Sequence, residues 1–252
     1  MMVGAVVLAG SPNNGLLQGC SSAAYEALIP IGSKVMVEYV CEALHASAHV
    51  EQVVVVGPAE QLAGFLASRG VRTVPAGQTV LENVRIGMQA VSAPGRVLVV
   101  TSDIPLLTGE AVDDFLAQCR DEAVDLYYPI VPKSVVESRF PGVRRTYVRL
   151  KEGVFTGGNL FLVNPRIFPR CLQKGEQLVA VRKNPLQLAR LVGLSFLVKF
   201  ITRRLSLQEA QTKVSQLLGI KGEAVISRYP EVGLDVDKPG DLELVAKVLH
   251  AV

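Results

Sequence analysis

Three carboxylates in two short segments are the residues best placed to do chemistry. Asp103 stands in Thr101-Ser102-Asp103-Ile104-Pro105-Leu106, directly after the apolar run 96–102. A carboxylate that ends a buried strand can hold a divalent cation against phosphate oxygens. The other reading of Asp103 is a turn or helix-capping residue ahead of Pro105. Asp235 and Asp237 stand in Asp235-Val236-Asp237-Lys238-Pro239-Gly240-Asp241-Leu242. Alternate residues of an extended segment share one side. These two carboxylates therefore point the same way and repel each other unless a metal ion or a nearby cation intervenes. Asp237 also fits as the cap of a helix opened by Pro239. A third segment, Leu8-Ala9-Gly10-Ser11-Pro12-Asn13-Asn14-Gly15, carries two glycines and small polar residues. Backbone N–H groups in such a loop can cradle phosphates. Its spacing matches neither G-x-x-x-x-G-K-[ST] nor G-x-G-x-x-G, so the P-loop and dinucleotide fingerprints are excluded. His45, His49 and His250 show no ligand spacing.

Positioning such groups requires a scaffold, and the first half of the chain describes one. Residues 4–9, 52–57, 71–75, 96–102 and 125–131 are β-branched apolar runs of the kind that fill strands buried on both faces. Helical patterns occupy 34–46, 59–69, 79–91 and 109–119 between them. In the first helix, Val37, Val40, Cys41 and Leu44 form one apolar stripe. Strand–helix alternation predicts right-handed crossovers and a parallel sheet. Ligands of such sheets bind beyond the carboxyl ends of the strands. Residues 132–165 break the pattern. They read as two strands, 144–150 and 157–163, around a turn at Lys151-Glu152-Gly153, with no clean crossover helix. A helical stretch follows to about residue 220, then a strand near 224–228, the acidic loop and a last helix.

The 252 residues are 49% hydrophobic and contain no Trp, which suits Val- and Leu-rich strands covered by helices. A net charge of +3 gives no basic stripe for nucleic acid. Cys20, Cys41, Cys119 and Cys171 lack C-x-x-C spacing and read as reduced thiols of a cytoplasmic protein. The apolar run 3–9 lacks a basic flank and reads as a first strand, not a secretory signal. Residues 186–201 form an apolar segment interrupted by Arg190 and Lys199. It is too short to span a bilayer and reads as a buried or interface helix, with a possible dimer face; lying on a membrane surface is the lesser reading.

Taken in order, Val6-Val7-Leu8-Ala9-Gly10, Ala27-Leu28-Ile29-Pro30-Ile31-Gly32-Ser33-Lys34, Thr101-Ser102-Asp103-Ile104-Pro105-Leu106 and the segment from Asp235 to Leu242 resemble the MobA-like nucleotidyltransferases. That family includes molybdenum-cofactor guanylyl- and cytidylyltransferases and is related more remotely to sugar-phosphate nucleotidyltransferases. The likeness covers nearly the whole chain, with an elaboration at about 165–220 of a single domain, 1–252. It implies a Rossmann-like three-layer α/β/α fold with a mixed, mostly parallel sheet, of the nucleotide-diphospho-sugar transferase type. It also implies transfer of a nucleoside monophosphate from a nucleoside triphosphate to a phosphorylated small-molecule acceptor, with magnesium as cofactor and pyrophosphate released. By position, Leu8, Ala9, Gly10 and Ser11 would meet the nucleotide, and Gly77, Gln78, Thr79 and Asn83 would lie near its base. Asp103 and Asp237 would be the catalytic metal carboxylates, with Asp235 as the alternative to Asp237. Thr156, Gly157, Gly158 and Asn159 would face the acceptor. One departure stands out. Residues 11–25 contain no basic residue, and Glu26 occupies the place of the family's lysine. Either other cations substitute, with Arg144, Arg145, Lys151, Arg182 and Lys183 as candidates, or the protein binds nucleotide as a regulatory module without the transfer reaction.

Overall fold

The computed structural model describes residues 1–92, 95–168 and 193–250. Along the chain the elements are β1 (Val3–Leu8), β2 (Pro30–Ile31), β3 (Lys34–Val35), α1 (Met36–Ala46), β4 (Val50–Gly57), α2 (Ala59–Leu66), β5 (Arg72–Pro75), α3 (Val80–Ala90), β6 (Val97–Thr101) and α4 (Gly109–Gln118). The second half gives β7 (Leu126–Pro132), α5 (Lys133–Arg139), β8 (Val148–Leu150), β9 (Gly153–Gly157), β10 (Leu160–Val163), α6 (Leu194–Ile201), α7 (Leu207–Leu218), β11 (Gly222–Ile226) and α8 (Pro239–His250).

The main sheet runs β5-β4-β1-β6-β10-β7-β9-β8, with β11 on the other edge of β7. Strands β5, β4, β1 and β6 are mutually parallel, β10 is antiparallel to β6, and β7 and β11 again run with β6. Val3, Ala5, Val6 and Val7 are all fully buried, because both faces of β1 are covered. On one face, α1, α2, α4 and α5 contribute Val40, Leu44, Leu62, Phe115 and Val136 to the largest apolar cluster. On the other face, α3 places Val84 against Val6, Val56 and Val99. This is the mixed, mostly parallel sheet with helices on both sides that the sequence implied. A third cluster sits at the carboxyl ends of the strands. Leu17, Ile29, Ile31, Leu106, Phe140, Leu234, Val236 and Val245 pack together there, so the loops that follow β1 and β6 and the acidic loop each carry an apolar anchor.

Three expectations need correction. A helix, α5, does follow β7. Its seven residues include adjacent β-branched valines that mask a helical period, yet Val136 is buried and Lys133 pairs with Glu137 at 3.3 Å one turn on. Only 148–150 of the expected strand 144–150 pairs in the sheet, because the preceding residues lead Arg145 away to another partner. The strand expected over 157–163 is two strands. Between the pairs Ile130↔Gly157 and Tyr127↔Leu162, three steps on β7 face five on β9–β10. Such a bulge bends the chain and re-aims its groups. Gly158 fits there because a Cβ would lie 2.7 Å from Cγ of Pro129. Of the segment 186–201, residues 186–192 lie outside the described residues. Helix α6 leaves Val198, Phe200 and Ile201 exposed, so this part is not a buried helix. Among the described residues no helix is long and apolar enough to cross a membrane.

Gly87 marks the closest approach of α3 to the sheet, since a Cβ there would stand 2.2 Å from Cγ1 of Val6. Alanine improves helix propensity by about 1 kcal/mol. Overpacking against a stiff, fully buried valine costs about 1–3 kcal/mol. Gly87→Ala is therefore expected to destabilise the fold by about 1 kcal/mol, read as a lower urea midpoint with an unchanged slope. A higher midpoint would show that α3 shifts without cost.

Candidate active site

The four loops that the sequence singled out converge at the carboxyl ends of β1, β4 and β6. Ser102 donates its N–H to the carbonyl of Leu8 at 3.2 Å, and Ala9 donates to that of Val56 at 2.8 Å. Gly10 lies against the opening of α3, where a Cβ would stand 3.1 Å from Cβ of Ala76 and 3.3 Å from Nδ2 of Asn83. Asn83 accepts the N–H of Gly77 at 2.7 Å through its side-chain oxygen. Glu82 accepts the N–H of Gln78 at 2.7 Å, and Thr79 caps α3 by accepting the N–H of Glu82 at 3.1 Å. Residues 8–11 thus lie directly against the opening of α3, whose turn at 77–79 is held by side chains of α3 itself.

The carboxylates gather at the same strand ends. Val236 donates its N–H to the main-chain carbonyl of Asp103 at 2.8 Å, which docks the late acidic loop onto the end of β6. One oxygen from each of Asp103, Asp235 and Asp237 then lies within 4.8 Å of the others. Oxygens around a small divalent ion with bonds of about 2.1 Å stand up to about 4.2 Å apart, so these three fit magnesium or manganese with modest closure. An all-oxygen, anionic donor set also suits those hard ions. Thr101, two residues before Asp103 on the same side of the strand, donates its hydroxyl to the Asp103 carboxylate and was not singled out from the sequence.

Burial first, and neighbouring charge second, raise the proton affinity of two of these carboxyls. Burial pushes the Asp103 carboxyl up to about 6, against the Thr101 hydrogen bond; the charges of Asp235 and Glu26 push the same way as burial. Asp237 is likewise raised, by burial first, then by its hydrogen bond and repulsion with Asp235 and by the charge of Asp103. Glu26 therefore adds negative field at the site.

Of the candidate cations, Arg145 alone reaches the cluster among the described residues. It pairs with Asp235 at 2.7 Å and approaches Asp241 at 3.9 Å. Named from the sequence only as one candidate among five, with a surface charge as the readier reading, Arg145 is instead buried with its fork on a carboxylate. Arg144 and Lys151 are exposed, while Arg182 and Lys183 lie outside the described residues. The bulge brings in the remaining motif. Thr101 donates its N–H to the carbonyl of Asn159 at 3.0 Å, and Asn159 donates its own to Val232 at 2.8 Å. Thr156 is buried against Gly233, and Gly157 lies under the ring of Tyr128, where a Cβ would meet the phenol oxygen at 1.6 Å. Tyr128, stacked on Phe161 with centroids 5.3 Å apart, is a further residue that alternation on β7 alone did not reveal.

Residues 5–193 match the model of the MobA-like NTP transferase domain. No match is found among curated proteins. A hypothetical transferase from Thermus thermophilus is 43% identical and superposes with a TM-score of 0.84, over 96% of this chain and 100% of its own. A CMP:2-keto-3-deoxy-manno-octonic acid synthetase complexed with CTP is 15% identical, with a TM-score of 0.65 over 100% and 99% of the two chains. The 2-C-methyl-D-erythritol 4-phosphate cytidylyltransferase of Thermus thermophilus is 18% identical, with a TM-score of 0.56 over the whole of both. These last two share the fold.

The raised carboxyls give the site a defined pH response. A carboxyl of about 6 in the folded protein and about 3.9 unfolded keeps its proton longer when folded. Without metal, stability therefore falls as pH rises from about 4 through about 6. A divalent cation offsets this loss only where the carboxylates are ionised. Magnesium chloride is expected to raise the melting temperature more at about pH 8 than at about pH 5. Equal shifts at both pH values, or a shift preserved in Asp103→Asn/Asp237→Asn, would place the ion elsewhere.

Proposed function

Since the chain belongs to the MobA-like NTP transferase family, we propose that it transfers a nucleoside monophosphate from a nucleoside triphosphate to a phosphorylated small molecule, releasing pyrophosphate. The observation that supports this most is the meeting of a loop of mostly small residues, 8–11, with three convergent carboxylates at one end of the sheet. In this reading the backbone N–H groups of Gly10 and Ser11 face the phosphates, and Gly77, Gln78, Thr79 and Asn83 lie near the base. Asp103 and Asp237, with Asp235, hold magnesium. When bound, that ion neutralises charge on the triphosphate and on the departing pyrophosphate. Thr156, Gly157, Gly158 and Asn159 border the acceptor.

An acceptor phosphate oxygen then attacks the α-phosphorus in line. The bond from that phosphorus to the bridging oxygen breaks, and pyrophosphate leaves with the electron pair. A phosphate nucleophile is already ionised near neutral pH. The chain therefore needs to supply no general base, and rate comes from orientation. The CTP complex of the synthetase and the sugar-phosphate substrate in the name of the cytidylyltransferase agree with such a pair of substrates.

A second reading is favoured by Glu26 and by the absence of basic residues over 11–25. A protein with that loop binds nucleotide and serves as a regulatory module without transfer. One experiment separates the two. Thermal shifts are measured with ATP, GTP, CTP, UTP and dTTP, each with and without magnesium, and pyrophosphate release is followed with a panel of sugar phosphates. The transferase reading expects one magnesium-dependent nucleotide and release with at least one acceptor. Asp103→Asn should lower that release about 10²-fold or more while the fold is retained. Binding without release across the panel would support the regulatory reading. No nucleotide shift at all would remove both.

A further inference from the structure

Three carboxylates within 4.8 Å of one another cannot be assembled without something that holds them against repulsion. Arg145 has the geometry for it. Its Nη1 donates to Oδ1 of Asp235 at 2.7 Å, and its Nη2 donates to the main-chain carbonyl of the same residue. A planar fork that grips a side chain and its backbone together fixes both position and rotamer. Its charge also stands near Asp241, as does that of Lys238 at 3.9 Å. Nη2 lies 3.9 Å from Oδ1 of Asp241, and the other oxygen of Asp241 accepts the N–H of Asp237 at 3.3 Å. Among the described residues, no other lysine or arginine forms an ion pair with Asp103, Asp235 or Asp237.

Its setting is costly for a residue that served the fold alone. The Arg145 side chain is 7% exposed, and its Nε–H is buried with no partner among the described residues. Buried donors left unpaired oppose folding, so the placement points to another use. We propose that Arg145 is a positioning residue of the metal centre. Gripping Asp235 by side chain and backbone, it aims that carboxylate at a cation shared with Asp103 and Asp237. The inference rests on the metal reading given above. It also sets a division of labour: Asp235 gives at most its free oxygen, while Asp103 and Asp237 have no cationic competitor.

An opposite role is physically open, in which Arg145 fills the cation's place and metal must displace it. The sign of one measurement decides. Manganese binding to the nucleotide-free protein is followed by the loss of the free-ion electron paramagnetic resonance signal. Arg145→Ala is expected to weaken binding about 10- to 100-fold, the range for partners that orient metal ligands. Arg145→Lys, which keeps the charge but not the fork, should recover part of the loss. In an Asp235→Asn background, adding Arg145→Ala should cost less affinity than it does in the unaltered protein, because the charge on the gripped side chain is already gone. Unchanged or tighter binding in Arg145→Ala, or losses that simply add in the double variant, would overturn the proposal. If Arg145→Ala does not fold, Arg145→Lys alone and with Asp235→Asn carries the same test. Absence of manganese binding in the unaltered protein would defeat the metal reading itself. Binding that ignores Arg145 defeats this inference only.

Discussion

One hydrogen bond decides the geometry of the site: the N–H of Val236 on the carbonyl of Asp103, at 2.8 Å. Without it, Asp103 ends a central strand and Asp235 and Asp237 belong to a loop at the far end of the chain. With it, the acidic loop continues the hydrogen-bonding line of β6 past its last residue. Alternation then does the rest. Val236 turns inward to the apolar cluster at the strand ends, and its two neighbours turn outward beside Asp103. A single inserted residue in that loop would exchange the buried valine for a carboxylate and dismantle both arrangements.

That bond is protected by apolar anchoring. Leu106 follows Asp103, Leu234 precedes Asp235, Ile29 closes the first loop, and Phe140 leads toward Arg145; all four lie in the same cluster. Asp103, Asp235 and Arg145 are thus each tied by an apolar residue one to five positions away. Such a satellite core holds loops whose backbone is otherwise only partly paired, so their polar side chains can face outward without fraying. The bulge between β9 and β10 does the equivalent on the other side. It takes a strand already committed to β7 and delivers the Asn159 carbonyl to Thr101, next to the hydroxyl that meets Asp103.

The legible part of this design is the part written in periodicity. Buried strands such as 97–101 and the stripe Val37, Val40, Cys41 and Leu44 follow from side-chain sorting alone. The shared side of Asp235 and Asp237 follows from extended geometry. What escaped is what depends on register between distant segments. Helix α5 is too short to show a period. The β9–β10 bulge exists only relative to β7, and no local pattern marks it beyond the pair Gly157-Gly158. Arg145 was visible as a cation, but its partner lies 90 positions away. From the sequence it was one of five candidates to replace the charge missing from the first loop, and more readily a surface charge. Thr101 is one hydroxyl at a strand end, and only the rotamer of Asp103 shows its role.

The charge balance of the site follows from the same facts. A loop without basic residues leaves Glu26 adding its field to Asp103. Arg145 offsets one carboxylate of the cluster, Asp235. If the site takes a nucleotide as proposed, electrostatic attraction would come through a divalent cation on Asp103 and Asp237, with backbone dipoles as its partners in the first loop. Affinity for nucleotide and affinity for metal become nearly the same quantity in such a site. In a site with its own lysine or arginine the two are separable. The inverted charge at position 26 therefore does not by itself argue against phosphoryl chemistry. It shifts the burden of neutralisation onto the ion and onto the residues that aim its ligands.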